Sequence, residues 1–500
     1  MLDQSFSSKS FQEIFDNENR KGINVEEKFS DIFSDSIERV AGLKQLRKRI
    51  QEERNLDRKK VLYEDKKALK KERDALVTGV LDEIADGINN HIINLDLGEV
   101  YGKQSYKFEN NAQKLFLFLK KIQDNINKTY HVKQASRYAI LSELINHLED
   151  NFPKYVIRTD IKNFYESIPQ KKILDKINND YLLSIKTKKF IQQIFASYNT
   201  LTGQTNPETA KGVPRGVGIS AYLSELFMRS VDNKIRELED LVYYARYVDD
   251  IIAIFIPKST NIDPAKLSNY RTKLTDIIVN EGLIINNKKT SEYNLLDGLL
   301  SIRFSDRNNP SYNPNFTPKT IHYLGYDIGS VITYKTNRKI DKQVLSIKLS
   351  DNKINKYCNK IKLSFQYFDS KKRHNRKNAF KLLSARIKYL TSNTKLRNNK
   401  DKVFVGIYYS NPFLNSDESL ETMQKRLQWY ILRAGLTPEE KNILMSYSFI
   451  SGFNQKTFQI LPLKNKKYRS HNKKRNHTNN QENKGILQFG IAEINSIWKK

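Results

Sequence analysis

The sequence predicts an α+β fold, an antiparallel sheet with helices behind it and helical extensions on either side. Short apolar runs of strand length, residues 154–161, 241–248 and 251–256, supply the sheet. Longer stretches with apolar residues at helical spacing supply the helices, as in Tyr138, Ile140, Leu141, Leu144, Ile145 and Leu148. Between the last two apolar runs stand Asp249 and Asp250, which reads as strand, tight turn, strand with two carboxylates at the turn.

Five hundred residues imply about two to four domains. Lys and Arg number 86 against 56 Asp and Glu, a net charge of +30. The surplus points to a polyanion, most simply nucleic acid, with an anionic membrane surface as the competitor. Hydrophobic residues make up 38% and mean hydropathy is −0.65, which suits a soluble chain with sizeable cores. No apolar run approaches the ~20 residues that span a bilayer, and the opening Met-Leu-Asp-Gln-Ser-Phe is unlike a secretory signal. Cys358 is the sole cysteine, which excludes a disulfide framework and a cysteine zinc site and fits a reducing cytosol. The seven histidines show no ligand spacing.

In chain order, residues 1–40 read as short helices. Residues 43–75 read as one long basic helix with a thin apolar stripe, Leu46, Ile50, Leu62 and Leu69. Its cations, Arg47, Arg54 and Lys59 among them, form either a solvated face or a phosphate-tracking surface. Residues 131–152 read as a helix on which Lys133 and Arg137 share a face, either plainly solvated or holding a triphosphate. Lys154 to Ile161 is a strand ending on Asp160, followed by a turn into helix at Lys162 to Pro169. Gly212-Val213-Pro214-Arg215-Gly216-Val217-Gly218-Ile219-Ser220 is a glycine loop entering a helix; it serves tight packing or backbone approach to an anionic ligand. Residues 263–281 read as helix, 282–290 as a strand ending on Lys288 and Lys289, and 322–328 as a strand with Gly325 at its centre. The chain reads as helical from about 340 to 450. Residues 464–484, with Lys466, Lys467, Arg469, Lys473, Lys474 and Arg475, read as disordered alone or ordered on a polyanion.

Paired aspartates in an apolar setting are costly unless a cation or hydrogen bonds compensate them. A surface turn explains Asp249 and Asp250 nearly as well, until Asp160 is counted. Three carboxylates on strand ends, a glycine loop and a lysine pair form the parts of two-metal phosphoryl transfer.

These motifs together resemble the reverse transcriptases, over roughly residues 130–330. Arg158-Thr159-Asp160-Ile161-Lys162-Asn163-Phe164-Tyr165 looks like the first catalytic palm motif, and Tyr247-Val248-Asp249-Asp250 matches the YxDD signature. Asn286 to Thr290 resembles the next motif, whose lysine falls on Lys289, and Tyr323-Leu324-Gly325-Tyr326 resembles the primer grip. The resemblance implies a right-hand polymerase with fingers, palm and helical thumb. It implies catalysis by Asp160, Asp249, Asp250 and Lys289, and a metal set of Asp160, Ile161, Asp249 and Asp250 for two Mg2+ ions, with Mn2+ as the other candidate. It implies dNTP contacts from Phe164, Tyr165, Arg215, Gly216, Lys133 and Arg137, with Tyr165 as the gate against a ribose 2′-hydroxyl, and primer contact from Tyr323, Leu324 and Gly325. Many relatives carry Gln where Arg215 stands. Arg brings a charged fork in place of an amide, which bears on fidelity and template use.

The Gly-Val-Gly-Ile-Ser-Ala-Tyr-Leu-Ser-Glu-Leu version of the loop, the Leu2 to Phe6 opening and Val405 to Phe413 look most like bacterial defence-associated reverse transcriptases. Within them the chain resembles the type 3 "a" subunit, which works with a second reverse transcriptase and a noncoding RNA. This implies antiphage defence in the bacterial cytoplasm, a structured RNA template, a DNA product, a homo- or hetero-oligomer and no membrane. No RNase H or endonuclease signature is present in the sequence. The expected boundaries are 1–150 for an N-terminal helical region and fingers, 151–335 for a palm with a fingers insertion near 170–215, 336–395 for the thumb, and 396–500 for an extension with a basic tail. Arg47, Arg54, Lys59 and the tail cations are the expected nucleic-acid contacts. Untemplated or protein-primed synthesis on the same palm and a non-catalytic RNA scaffold remain alternatives; a nucleotide cyclase fits the motif series and charge poorly.

Overall fold

The computed structural model describes residues 2–21, 23–89, 93–108, 112–150, 152–259, 264–296, 320–334, 340–396, 404–456, 458–461, 466–468 and 486–498. The chain divides into two compact units, residues 1–140 with 153–294, and residues 141–152 with 295–500.

The first unit opens with α1 (Ser8–Arg20), α2 (Val25–Lys28), α3 (Ser34–Glu52) and α4 (Leu56–Asn89). The expected single helix over 43–75 is two helices. Glu53 accepts the amides of Arg54 and Asn55, and Asn55 accepts those of Asp57 and Arg58, so local side-chain caps close one helix and start the next. The hairpin β1 (Leu95–Tyr101) and β2 (Lys103–Phe108) follows, then α5 (Ala112–Tyr130). The segment before α1 is anchored across the unit. The Phe6 ring meets Phe190 edge-on at 5.1 Å, and Gln4 bonds the backbone of Leu182 and Ser184.

The helix α6 spans Arg137–Glu149, not the whole of 131–152. His131 has φ +51°, which ends α5, and the Ser136 hydroxyl accepts the Ala139 amide at the start of α6. Lys133 therefore lies in the connector and shares no helix face with Arg137.

A four-stranded sheet forms the middle of this unit, in the order β4-β5-β3-β6, from β3 (Lys154–Asp160), β4 (Leu241–Tyr247), β5 (Asp250–Phe255) and β6 (Ser291–Leu295). Both β3 and β4 run antiparallel to β5. Ile251 to Phe255 are all fully buried, so the strand is covered on both faces and reads as an unbroken apolar run. Between β3 and β4 lie α7 (Phe164–Ser167), α8 (Gln170–Asn179), α9 (Ile185–Thr202) and α10 (Ser220–Arg236); α11 (Pro264–Asn280) follows β5. The expected strand over 282–290 is a single bridge at Ile285, paired with Ile161, and a tight turn at Asn287–Lys289. Asn286 N donates to Asp160 O and Lys162 N to Ile284 O, the two bonds of that bridge, and the Lys289 amide then bonds Asn286 O, which turns the chain out of strand geometry.

The second unit contains β7 (Ile321–Tyr323), β8 (Tyr326–Tyr334) and β9 (Ile340–Leu349) as an antiparallel sheet. The expected strand over 322–328 is a hairpin instead. Leu324 and Gly325 have φ of +44° and +78°, the paired left-handed geometry of a two-residue turn. Strand β9 also replaces the start of the expected helical region. The long helix α12 (Asp351–Thr391) is broken at Asn375, with φ −152° and ψ 80°, and restarts under the Asn375 side chain, which accepts the Asn378 amide. Strands β10 (Asn393–Leu396), β11 (Phe404–Gly406) and β12 (Phe458–Leu461) form a sheet, and α13 (Glu418–Arg433), α14 (Pro438–Met445) and α15 (Phe449–Asn454) lie between β11 and β12 in sequence. Strand β13 (Lys466–Tyr468) pairs antiparallel with β14 (Ile486–Gln488), so part of the basic segment is ordered, and α16 (Ile491–Asn495) follows.

Candidate active site

The sheet register places Asp160, the last residue of β3, directly opposite Asp250, the first residue of β5. Asp250 also faces Tyr247 across the β4–β5 turn. Val248 and Asp249 form that turn. Val248 adopts φ +61°, an unfavourable left-handed conformation for a β-branched residue. Two hydrogen bonds hold it there: Arg246 Nη1 donates to Val248 O at 3.0 Å, and the Ile161 amide donates to Asp249 O at 3.0 Å. The second bond ties the end of β3 to the turn, so the three aspartates share one edge of a rigid sheet.

Each carboxylate has a different setting. Asp160 is 3% exposed and accepts Asn286 Nδ2 and Lys289 Nζ, both at 2.9 Å, on separate oxygens. Asp250 accepts Arg158 Nη2 at 3.1 Å. Burial pushes the Asp249 carboxyl above its ordinary range, and the negative charges of Asp160 and Asp250 add to the rise. The Lys289 ammonium is pushed up by its bond to Asp160. Among the described residues no three His, Cys, Asp or Glu side chains converge as a ready metal cluster. Like charges in a half-buried site demand compensation, and Lys289, Asn286 and Arg158 supply it. The donor set is all hard oxygen and fits a divalent cation such as Mg2+, which would have to displace those side chains from Asp160 and Asp250.

Behind the turn lies a buried ionic cluster that the sequence reading did not single out. Arg246 is 8% exposed. Its Nε and Nη2 bond the two oxygens of Asp232 at 2.9 Å each, while Nη1 and Nη2 bond those of Glu225 at 3.1 and 2.7 Å. With Val248 O, all five guanidinium hydrogens have acceptors. Burial opposes the charge, but Asp232 and Glu225 hold the guanidinium firmly protonated. The only sequence signal is spacing: Glu225 and Asp232 lie two helical turns apart on α10, on one face.

The glycine loop packs against the turn after β3. Gly212 N donates to Ile168 O and Val213 N to Tyr165 O, both at 2.8 Å. Phe164 is buried, and its ring lies 5.3 Å from that of Tyr165. Arg215 does not project freely: its Nε and Nη2 bond Glu166 Oε1 at 3.2 and 3.0 Å. Gly216 has φ +93°, and a Cβ there would stand 2.9 Å from Tyr106 O, so only glycine fits. Phe164, Tyr165, Arg215 and Gly216 thus form one group, while Lys133 lies in the connector between α5 and α6 and Arg137 opens α6. Tyr323, Leu324 and Gly325 occupy the β7–β8 hairpin of the second unit. Arg47 is exposed on α3, Arg54 lies in the connector to α4, and Lys59 is half-buried on α4. For Lys466 and Lys467 the backbone alone is described, in β13; Arg469, Lys473, Lys474 and Arg475 lie outside the described residues.

Residues 89–328 match the family model described as reverse transcriptase (RNA-dependent DNA polymerase). Over this span the chain is similar to the reverse transcriptases. The matched span contains Asp160, Asp249, Asp250, Lys289 and the β7–β8 turn. Domains of that family use divalent metal ions and carry RNA-directed DNA polymerase activity, and the helices and antiparallel sheets of this chain fit an α+β polymerase fold. No curated protein matches the sequence. Similar solved structures include telomerase from Candida albicans in complex with a fragment of telomeric RNA, at 11% identity and a TM-score of 0.29 over 72% of this chain and 62% of that one. Apo telomerase from Candida tropicalis gives 13% and 0.32 over 73% and 62%, and its form truncated from the C-terminal domain gives 16% and 0.28 over 50% and 54%. The chain thus spans less than two thirds of each of these proteins.

Proposed function

We propose that the chain is an RNA-directed DNA polymerase that extends a 3′-hydroxyl or protein primer with dNTPs, with Asp160, Asp249 and Asp250 as its catalytic carboxylates. The observation that carries this is the register: Asp160 faces Asp250, and Asp249 occupies the adjoining turn, within the span similar to the reverse transcriptases. Bound divalent ions supply Lewis-acid activation of the attacking hydroxyl and charge neutralisation at the leaving pyrophosphate. The chain's own groups do the rest. The sheet holds the carboxylates and the Ile161 main chain in place. Lys289, kept protonated beside Asp160, offers a proton to the leaving group. Tyr165 closes the space where a ribose 2′-hydroxyl would sit.

In this reading the helical N-terminal region and part of 170–215 act as fingers, the four-stranded sheet is the palm, and the helices after 350 act as thumb, with the Tyr323–Tyr326 turn touching the primer. The form of the glycine loop supports placement among bacterial defence-associated enzymes, with a structured noncoding RNA as template and a second reverse transcriptase as partner. The charge of +30 supports RNA retention that falls steeply with salt.

The test is dNTP incorporation by the purified chain with Mg2+ and bound RNA. Asp249→Asn and Asp250→Asn should each abolish it while circular dichroism stays unchanged. Unchanged incorporation in either variant refutes the site. Sequencing the product separates templated synthesis from untemplated: a product unrelated to the RNA refutes the templated form.

A further inference from the structure

Tyr165 is held by three contacts, one from its neighbour Phe164 and two from the glycine loop. The buried Phe164 ring packs against it at 5.3 Å, edge to face. The Arg215 guanidinium lies 5.0 Å from the centre of the Tyr165 ring, within range of a cation–π contact. Its own backbone carbonyl accepts the Val213 amide from the glycine loop. Arg215 is in turn fixed by Glu166, which takes both Nε and Nη2 on one oxygen. The other oxygen of Glu166 accepts Lys103 Nζ at 3.2 Å, and Lys103 also reaches Asn163 at 2.9 Å. Lys103 opens strand β2, and Arg215 O accepts the Tyr106 amide of the same strand at 2.7 Å. Burial pushes the Glu166 carboxyl up, but Arg215 and Lys103 outweigh it and keep the group ionised. Burial pushes the Tyr165 phenol up, and the charges it senses include Arg215 and Asp249, so the ring stands within the electrostatic reach of the carboxylate centre.

We propose that Arg215, oriented by Glu166, is a positioning residue that stiffens the Tyr165 ring and so sets how strongly the enzyme rejects ribonucleotides. A gate that excludes a single hydroxyl discriminates only as far as it cannot yield. A ring free to swing aside admits the 2′-hydroxyl; a ring braced by Phe164 and by a salt-bridged guanidinium does not. Arginine suits this where glutamine would not, because it is permanently charged and stacks its plane on an aromatic face while its edge bonds a carboxylate. Arg215 is thus engaged by the protein itself, with no need of a nucleotide phosphate.

The inference rests on the polymerase reading, and the experiment separates the two. The full chain and the variants Arg215→Gln, Glu166→Gln and Tyr165→Ala are compared in single-nucleotide extension with dNTPs and rNTPs and in equilibrium binding of dATP and ATP. Arg215→Gln and Glu166→Gln are each expected to lower the dNTP-to-rNTP ratio of kcat/KM by about tenfold, through better use of rNTPs. Tyr165→Ala should lower it further, and adding Arg215→Gln to Tyr165→Ala should change it no more. Arg215→Lys, which keeps the charge but loses the planar fork, should fall between wild type and Arg215→Gln. An unchanged ratio, with KM raised equally for both nucleotides in Arg215→Gln, overturns the proposal and makes Arg215 a triphosphate contact. An unchanged ratio with unchanged KM overturns it too. A wild-type chain that incorporates nothing overturns the polymerase reading instead, and the dATP-to-ATP binding ratio then decides the clamp by the same criterion.

Discussion

Arg246→Met tests whether the buried ionic cluster supports the Val248–Asp249 turn. Methionine fills much of the same space but leaves Glu225 and Asp232 facing each other without a cation, and leaves Val248 O without its donor. Removing one partner of a buried ion pair costs about 3–5 kcal/mol, because the residual charge stays desolvated. At ~2–4 °C per kcal/mol for a unit of this size, the melting temperature should fall by about 6–20 °C. Calorimetry reads the loss, and hydrogen exchange at β4 and β5 assigns it to the first unit. Activity should fall even below the new melting transition, since the left-handed turn has lost one of its two restraints. Combining Arg246→Met with Glu225→Gln and Asp232→Asn should recover most of the stability, because no buried charge is then orphaned. A loss under about 1 kcal/mol, the worth of an exposed pair, would refute the reasoning. So would a triple variant as unstable as the single one.

The remaining predictions concern stability. Burial pushes Glu281 up, but Lys172 at 2.6 Å and Lys234 at 2.5 Å hold it below its ordinary value of 4.5. A carboxyl depressed in the folded state contributes stability that is present above pH 4.5 and lost as pH falls through the folded value. Glu281→Gln should therefore lower stability at neutral pH and flatten the acid limb of a pH–stability curve, which urea melts from pH 7 to 3 will read. Gly452 lies in α15 hard against the Thr391 carbonyl, so Gly452→Ala should lose about 1–3 kcal/mol through a clash that no side-chain rotation relieves. At Gly79 in α4 an added methyl would meet nothing within 4 Å, so Gly79→Ala should gain up to ~1 kcal/mol from helix propensity. Thermal melts of the two alanine variants, shifting in opposite directions, check both.

The carboxylate pairing was legible in the sequence because polar tips on apolar strands stand out at short range. Asp160 ends a strand that is mostly buried, Asp250 begins one that is otherwise fully buried, and Asp249 follows a mixed one. Lys289 was legible by its place in the motif order, although its segment is a turn and not a strand. What escaped is what depends on partners distant in sequence or on local capping. Nothing near Arg246 announces that Glu225 and Asp232 will surround it. Nothing near Arg215 announces Glu166, 49 positions away, or Lys103 on a hairpin. The helix break at Glu53 to Asn55 and the turn at Leu324 and Gly325 were missed for a different reason: apolar periodicity continues through them, while the side-chain caps and left-handed φ values that decide them leave little periodic trace.

The position of β3 in the sheet has a consequence for synthesis. It is an interior strand, flanked by β5 and β6, yet both neighbours are encoded well after it. During translation, a chain that has emerged through residue 160 can begin to pack its first helices but offers Val156 and Ile157 no sheet to be buried in. The strand stays exposed until β5 arrives and remains half-covered until residue 295 has left the ribosome. Pairings of such sequence separation close slowly, and unpaired apolar strands associate with one another while they wait. Asp160, Asp249 and Asp250 are therefore brought together among the last features of the first unit to assemble. Nascent chains cut short before β6 should depend on chaperones to stay soluble.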